Sequence, residues 1–153
     1  TPASFAQWAG IRPSAAGGAA FGALAASLTP VRTPVSDAWI LNDDEPTFLG
    51  PGGHVAPARL LPSGDAFFLL QGADRQILVP DTALQRRLWT SRVWPGAVLV
   101  QGEIAGTWRR ALADVTIETW RRLTQAEREA VEAEAASMPL PGMRQDVRVH
   151  WDD

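Results

Sequence analysis

Adjacent arginines are the residues of this sequence whose type and spacing best suit a chemical task. They occur three times in the second half of the chain, as Arg86–Arg87, Arg109–Arg110 and Arg121–Arg122. The planar guanidinium grips phosphate at two points, so converging pairs would follow a phosphate backbone. Neighbouring residues of a strand point to opposite faces of the sheet. Where two adjacent arginines lie in a strand, at most one of them therefore contributes to any one surface.

Charge is unevenly distributed, although the net charge is only -3. Residues 1–57 and 124–153 are acidic, whereas residues 58–123 hold nine arginines against six acidic residues. The middle segment alone has a positive surplus, so a nucleic-acid contact is expected to draw on it. A mixed solvated surface is the simpler interpretation of so small a surplus, and both interpretations stay open at this point.

Groups that support catalysis or metal binding are sparse. The sequence has no cysteine, which excludes disulfides, thiol catalysis and cysteine-bound zinc. Neither His54 nor His150 has the HxxxH or HExxH spacing of a zinc site, and there is no P-loop, GxGxxG or GxSxG motif. We therefore predict no catalytic residue, no metal site and no cofactor for these residues.

Length and hydropathy set wide limits on the fold. With 153 residues, 46% of them hydrophobic, the chain can bury one core and a small additional module. No apolar run approaches the ~20 residues that a membrane span needs. The N-terminus also lacks the basic start and apolar block of a signal peptide. We expect no membrane contact and a cytoplasmic location.

Residues 1–42 show the element order of a winged helix-turn-helix. A helix around Phe5–Trp8, closed by Gly10, precedes a second helix from Pro13 to Leu28. Two extended pieces, Val31–Thr33 and Ala38–Leu41, follow. Helix, tight turn, helix and ribbon is the order of that motif, here lacking its first helix.

The second helix is poorly suited to reading DNA bases. It contains no basic residue, whereas a helix in the major groove normally presents polar or basic side chains to the base edges. We expect it to pack through an apolar stripe of Ala16, Ala20, Leu24 and Leu28. Trp39, in an apolar run of the ribbon, is predicted to be a core residue.

The rest of the chain is predicted to hold a linker, residues 43–57, and a C-terminal domain, residues 58–153. The linker is rich in Asp, Gly and Pro. The predicted class is α+β: a truncated winged helix-turn-helix followed by a small mixed β-barrel-like domain with two helices. Expected elements of that domain include strands at Ala66–Leu70 and Ile77–Val79 and a short helix at Thr82–Thr90.

Its last elements carry clearer signals. Thr124-Gln125-Ala126-Glu127 forms a capping box that starts a helix, and alternation over Val147–Trp151 predicts a final strand. Before them, Ala97–Trp108 is predicted to be a β-hairpin that turns at Gln101-Gly102. Asp114–Glu118 is expected to pair with it as a meander.

The hairpin tip has two interpretations: a ribbon that enters a nucleic-acid groove, or an ordinary sheet corner. The sheet corner is the commoner of the two. The first interpretation, joined to the arginine surplus, predicts a set of nucleic-acid-binding residues. That set is Arg75, Arg86, Arg87, Arg109, Gln101 and Gly102.

Several short segments of the sequence are similar to segments of the bacterial winged-helix DNA-binding-domain-containing family, which includes the AlkZ/YcaQ-type DNA glycosylases. These segments occur in the same order as in that family, across roughly residues 3–137. They are Phe5–Ile11, Trp39–Leu41, Arg59–Pro62, Leu78–Asp81, Arg86–Trp89, Val98–Gly102 and Ala105–Arg109.

The resemblance implies tandem winged-helix units followed by a β-barrel-like domain, together forming a concave DNA-binding body. It also implies metal-free base excision through a Gln-hydrophobic-Gln or Gln-hydrophobic-Asp motif in an early winged helix. This sequence lacks that motif; Gln101-Gly102-Glu103 and Gln125-Ala126-Glu127 come nearest. The expected role is therefore a C-terminal, accessory portion that holds duplex DNA without catalysis.

Two functions from different classes remain. In the first, the chain binds the backbone of double-stranded DNA through the predicted set. In the second, it is a structural domain that packs against N-terminal winged-helix modules of the same protein and does not touch DNA. The second alternative predicts an exposed apolar patch and self-association.

Overall fold

The computed structural model describes residues 1–11, 13–53, 56–70, 72–139 and 146–152, with the side chains of residues 13–15 outside that description. The chain divides into two compact units. Unit 1 is Thr1–Gly53 with Leu69–Ile77, and unit 2 is His54–Phe68 with Leu78–Asp153. The boundaries predicted at residues 42 and 57 stay predictions.

Unit 1 begins with two helices. Helix α1, Pro2–Trp8, starts where the Thr1 hydroxyl accepts a hydrogen bond from the Ser4 amide at 3.1 Å, with proline at the first helical position. Gly10 follows with a φ of 66°, the left-handed conformation that glycine adopts at little cost. Helix α2, Pro13–Leu24, continues into a single 3-10 turn at Ala25–Ser27.

The packing face of α2 differs from the predicted stripe. Gly17 is buried, and a side chain there would meet the Pro2 carbonyl oxygen and the Ala6 Cβ of α1. Ala16 and Leu24 are exposed instead. The two helices approach through a glycine, a contact that a search for apolar side chains overlooks because glycine has none.

A two-stranded ribbon completes the predicted order of unit 1. Strands β1, Leu28–Arg32, and β2, Asp37–Leu41, pair antiparallel with Leu28 opposite Leu41. The Thr33 side chain holds the turn by accepting a hydrogen bond from the Ser36 amide at 3.0 Å. Within the predicted linker, residues Glu45–Leu49 form a short helix, α3.

Unit 2 contains a five-stranded sheet in the order β3-β4-β5-β6-β7. The pairs β3–β4, β4–β5 and β5–β6 are antiparallel, and the pair β6–β7 is parallel. The strands are β3 Arg59–Leu61, β4 Gly96–Val100, β5 Glu103–Ala111, β6 Asp114–Thr119 and β7 Arg148–Asp152. The hairpin, the meander and the final strand are thereby confirmed.

The sheet is open in the part of the chain that the structure describes. Its edge strands, β3 and β7, each pair with one neighbour and not with each other, so there is no closed barrel. The mixed α+β class is confirmed, whereas the barrel-like description is not. Closure would require a hydrogen-bonded ladder between the two edges.

Helices cover both faces of this sheet. Helix α6, Gln125–Ala136, packs Val131 and Ala135 with Val98 and Val115 on one face. Helix α5, Thr82–Leu88, packs Leu88 on the other face. All five residues of β4 are buried as a result, and this central strand reads as a continuous apolar run.

Two predicted strands of the C-terminal domain are wrong. Residues 66–68 form a turn, because the Asp65 carboxylate accepts a hydrogen bond from the Phe67 amide at 2.9 Å and diverts the backbone. Ile77 and Leu78 belong to a short helix, α4, Arg75–Leu78. A run of three apolar residues suits a helical turn as well as a strand, so length could not distinguish them.

Candidate nucleic-acid interface

The tip of the predicted hairpin is a tight turn between β4 and β5. Gln101 and Gly102 have φ values of 54° and 84°, the conformation of a type I′ turn. Only the tip is exposed, since β4 and residues Ile104–Thr107 of β5 are buried. The hairpin is therefore the centre of the sheet and not a free-standing ribbon.

Gln101 is held against the start of α6. Its Nε2 donates a hydrogen bond to Oε1 of Glu127 at 3.1 Å. Glu127 also closes the predicted capping box, because its Oε2 accepts from the Thr124 amide at 2.8 Å while the Thr124 hydroxyl accepts from the Glu127 amide. The Glu127 carboxylate therefore bonds both the Gln101-Gly102 turn and the first turn of α6.

Arg121 completes this network. Its guanidinium donates to both carboxylate oxygens of Glu127, at 3.2 Å and 2.9 Å. These bonds, followed by the amide and hydroxyl of Thr124, lower the pKa of Glu127 from 4.5 to about 2. The hydrogen bonds to Glu127 in turn raise the pKa of Arg121. Gln101 is thereby brought next to a charged pair that the predicted set does not contain.

An open pocket of about 750 Å³ lies beside this network, entirely within unit 2. Three arginines contribute to its wall: Arg121, Arg122 and Arg128. The guanidinium of Arg128 stacks over the Trp151 ring, with 4.4 Å between its Cζ and the ring centroid. The other residues of the wall are Thr119, Trp120, Leu123, Thr124 and Gln125.

None of the predicted arginines is among the residues that line this pocket, and their settings differ. Arg75 belongs to unit 1, where its Nε donates to the Leu70 carbonyl at 2.7 Å and burial lowers its pKa. Arg86 is exposed, while Arg87 forms an ion pair with Glu118. Arg109 donates to the Val93 carbonyl at 3.1 Å.

Arg109 and Arg110 face opposite sides of the sheet, as strand geometry predicts. Arg110 stands opposite Val115, whose side chain packs on the α6 side, and it donates to the carbonyl of Pro139. The structure thus brings Gln101 to Arg121 but does not gather Arg86, Arg87 and Arg109 around the hairpin tip. The DNA-binding role of the predicted set stays a prediction.

The pocket arginines are the functional candidates that the predicted set omits. The Arg121–Arg122 pair and the helix start at Thr124 were both visible in the sequence. What the sequence could not show is that Glu127, explained fully as a capping residue, also binds Arg121 and Gln101. Arg128, seven residues from Arg121, comes to the same wall because it lies one turn into α6.

Charged side chains at the sheet edge form a second cluster. Asp114 accepts two hydrogen bonds from Arg148, each at 2.8 Å, and its Oδ1 lies 2.9 Å from His150 Nε2. These contacts, with Arg148 first, lower the pKa of Asp114 from 3.8 to about 2. Among the described residues no group of three histidine, aspartate or glutamate side chains is placed to hold a metal ion. His54 lies outside the described residues.

Unit 1 presents a connected aromatic surface. The ring centroids of Phe5 lie 6.3 Å from Trp8 and 6.0 Å from Phe21, and Phe21 lies 5.8 Å from Trp39. Trp8 is 59% exposed and Trp39 41%, so the prediction of Trp39 as a core residue is wrong. The edge contact with Phe21 covers only part of the Trp39 ring. We call Phe5, Trp8, Phe21 and Trp39 the aromatic surface.

Unit 2 thus combines an open five-stranded sheet, flanking helices and a pocket with three arginines in its wall. The sequence profile of one family, the DNA glycosylase AlkZ-like proteins, matches residues 1–139. The chain belongs to this DNA glycosylase AlkZ-like family. No curated protein sequence matches it significantly.

The fold is also found in a solved structure. Streptomyces sahachiroi DNA glycosylase AlkZ is similar with a TM-score of 0.69 and 20% sequence identity, over 89% of this chain. The chain spans 37% of the length of that protein. In the described ranges, no helix is both long and apolar enough to cross a membrane.

Proposed function

We propose that this chain binds the phosphate backbone of double-stranded DNA as an accessory portion of a glycosylase-like protein, without base excision by its own residues. One observation carries the proposal: a member of the DNA glycosylase AlkZ-like family concentrates its positive surplus in residues 58–123. Backbone contacts supply affinity without reading sequence, which suits exposed arginines on a scaffold.

The proposed contacts are those of the predicted set. Arg86 is exposed on α5 and is free to reach a phosphate, whereas Arg87 would have to exchange Glu118 for one. Arg109 is exposed on β5, and the Gln101-Gly102 tip offers backbone amides. The winged-helix character of unit 1, without a basic recognition helix, makes it a packing module in this proposal.

Replacing two exposed arginines with glutamine, which removes their positive charges, tests the proposal. The Arg86→Gln/Arg109→Gln double variant should bind a fluorescent duplex more weakly than the wild type at low salt, by roughly tenfold, because two phosphate contacts are lost. Arg32→Gln makes the same change on a side chain 92% exposed in unit 1 and should bind like the wild type. Equal affinity of all three proteins would exclude the proposed contacts.

The aromatic surface favours a second function, packing against N-terminal winged-helix modules of the same protein. Other exposed apolar side chains of unit 1 include Phe48 at 55% and Leu49 at 72%. Connected apolar patches of this kind usually mark interaction sites. A Trp8→Ser/Trp39→Ser variant should lose the concentration-dependent self-association that we expect of the wild type in sedimentation equilibrium. A wild type that stays monomeric at all concentrations would contradict this function.

Base excision by a longer protein, DNA as its substrate and a cytoplasmic location are parts of the same proposal. They rest on the family, because the solved relative of the chain is a DNA glycosylase by name. The catalytic role is assigned to residues beyond the portion matched here, since the chain spans 37% of that relative.

A further inference from the structure

A small pocket within unit 1 is lined by residues of helix α1 together with Leu69, Leu70 and Asp74. We call it the unit 1 pocket. Phe5 and Trp8 of the aromatic surface contribute to its wall. Its volume is about 230 Å³, below the roughly 300–1,000 Å³ of pockets that hold a whole small molecule. A cavity of this size suits a single side chain of a partner.

The Asp74 carboxylate is the charged group of this pocket. Asp74 is half-buried, and in the part of the chain that the structure describes its side chain has neither an ion pair nor a hydrogen bond. Arg75, the next residue, directs its Nε to the Leu70 carbonyl instead. A negative charge among aromatic and aliphatic side chains has lost part of its hydration, and a cation that enters the pocket replaces the lost water.

Trp8 is the second recognition element. Its indole is 59% exposed, with the ring of Phe5 beside it at 6.3 Å between centroids. The face of an indole attracts cations through its π-electrons. Guanidinium suits both elements, because it is planar, stacks on an aromatic ring and donates two parallel hydrogen bonds to a carboxylate. An ammonium group offers only a point charge.

The charge balance of unit 1 opposes a phosphate-bearing ligand at this pocket. Residues Thr1–Gly53 hold two arginines against four acidic residues, and acidic groups repel phosphate. The arginine surplus that supports DNA binding lies in residues 58–123 instead. The unit 1 pocket therefore favours a protein ligand over a nucleic acid.

We propose that the unit 1 pocket binds an arginine side chain of a partner protein, with the guanidinium over Trp8 and hydrogen-bonded to the Asp74 carboxylate. Leu69 and Leu70 offer apolar surface to the methylene groups of that arginine. The packing function described above, on which the identity of the partner rests, thereby gains an anchor residue. DNA binding by unit 2 is independent of it.

Indole N–H signals of the ¹⁵N-labelled full chain test this proposal. The Trp8 signal is assigned by its loss in Trp8→Phe, and the chain is titrated with the blocked peptide Gly-Gly-Arg-Gly-Gly at matched ionic strength. We expect a saturable shift of the Trp8 signal. The same peptide with citrulline, which has the shape of arginine without its charge, should leave the signal in place over the same concentrations.

Carboxylate variants give the second readout. Asp74→Asn removes the charge and should weaken peptide binding by about tenfold, the effect of losing one charged hydrogen-bonded partner. Asp43→Asn removes an exposed carboxylate of unit 1 that does not line the pocket, and it should bind the peptide as the wild type does. Unchanged positions of the other indole signals show that each variant is folded.

The outcomes separate this proposal from the packing function. If the arginine peptide shifts Trp8 saturably while the wild type stays monomeric in sedimentation equilibrium, the arginine pocket stands and the packing function fails. If the wild type self-associates but the peptide does not shift Trp8, the packing function stands and the pocket proposal is overturned.

Three further results would also overturn the pocket proposal. An equal shift with the citrulline peptide, or unchanged affinity in Asp74→Asn, would show that charge is not recognised. A saturable shift of Trp8 with a short DNA duplex and none with the arginine peptide would assign the surface to nucleic acid.

Discussion

The indole of Trp108 fills the space into which a side chain at position 96 would project, and its Nε1 donates a hydrogen bond to the Leu61 carbonyl at 2.8 Å. Three neighbouring strands, β3, β4 and β5, are joined by this one side chain. Gly96 opposite Trp108 is the pair that makes the arrangement possible, because any Cβ at that position would meet the indole and the Leu61 oxygen.

Gly96→Ala should therefore destabilise unit 2. Displacement of a packed indole by a methyl group costs about 1–3 kcal/mol of the free energy of unfolding. Urea denaturation followed by tryptophan fluorescence measures the change. Gly18→Ala is the matched control, because a side chain at position 18 meets nothing within 4 Å and helix α2 gains from alanine. Equal stability of both variants would show that the indole moves aside freely.

Thr124→Ala should weaken the start of α6. The variant loses the hydroxyl that accepts from the Glu127 amide and leaves that amide without its capping partner. Loss of such an N-cap costs about 1 kcal/mol. Thermal unfolding should show a lower Tm for Thr124→Ala and a Tm near that of the wild type for Thr124→Ser, which keeps the hydroxyl. A Tm unchanged in both variants would mean that the cap does not contribute.

Asp114 predicts how stability depends on pH. Its pKa of about 2 in the folded chain lies below its ordinary value of 3.8, chiefly because of Arg148. The stabilisation is therefore complete above pH 3.8 and is lost as the pH falls through about 2. Asp114→Asn should lower Tm at neutral pH, and the difference from the wild type should vanish toward pH 2.

Asp152→Asn serves as the control for this measurement. It removes an exposed carboxylate of the neighbouring strand β7, for which no ion pair is found among the described residues. Its Tm should follow the wild type across the acid range. A Tm difference for Asp114→Asn that persists unchanged at the lowest pH would show that charge on Asp114 is not the cause.

Leu112 offers a stabilising substitution. It is 78% exposed in the turn between β5 and β6. Its backbone φ is 58°, a value that residues other than glycine rarely adopt. Leu112→Gly should raise the free energy of unfolding by roughly 0.5–1 kcal/mol, since relief of strain exceeds the entropy that glycine loses on folding. Leu112→Ala keeps the strain and should not show this gain in urea denaturation.

Local sequence signals predicted much of the fold because their causes are local. The Gln101-Gly102 turn requires positive φ at both residues, and the capping box at Thr124 satisfies its own amides. Such features need no distant partner. Alternation in residues 114–118 likewise shows a strand with one face on the core, and β6 has that burial pattern.

Two features were predicted wrongly, for different physical reasons. Residues 66–70 are apolar enough for a strand, but the Asp65 side chain captures the backbone and only Phe68 is fully buried. The packing of α2 was assigned to alanines, whereas the close approach to α1 occurs at Gly17. The first is a hydrogen bond between residues two apart, and the second is a tertiary contact between two helices.

The sequence predicted which region of the chain is rich in arginine, but not which of the arginines come together. Counting arginines indicated residues 58–123 and their pairs, and Gln101 does lie beside the pocket network. The gathering of Arg121, Arg122 and Arg128 depends on how β6 leads into α6, a connection that pair spacing does not contain. Arg87, in contrast, forms an ion pair with Glu118 of β6.

The salt dependence of duplex binding tests the central claim most directly. Fluorescence anisotropy of a labelled duplex with the full chain, over a series of sodium chloride concentrations, gives the slope of log K against log salt. Several arginine–phosphate contacts predict binding at low salt and a straight line with a slope near -0.9 for each contact, or about -3 for three. An absence of binding at the lowest salt, or a slope of zero, would contradict it.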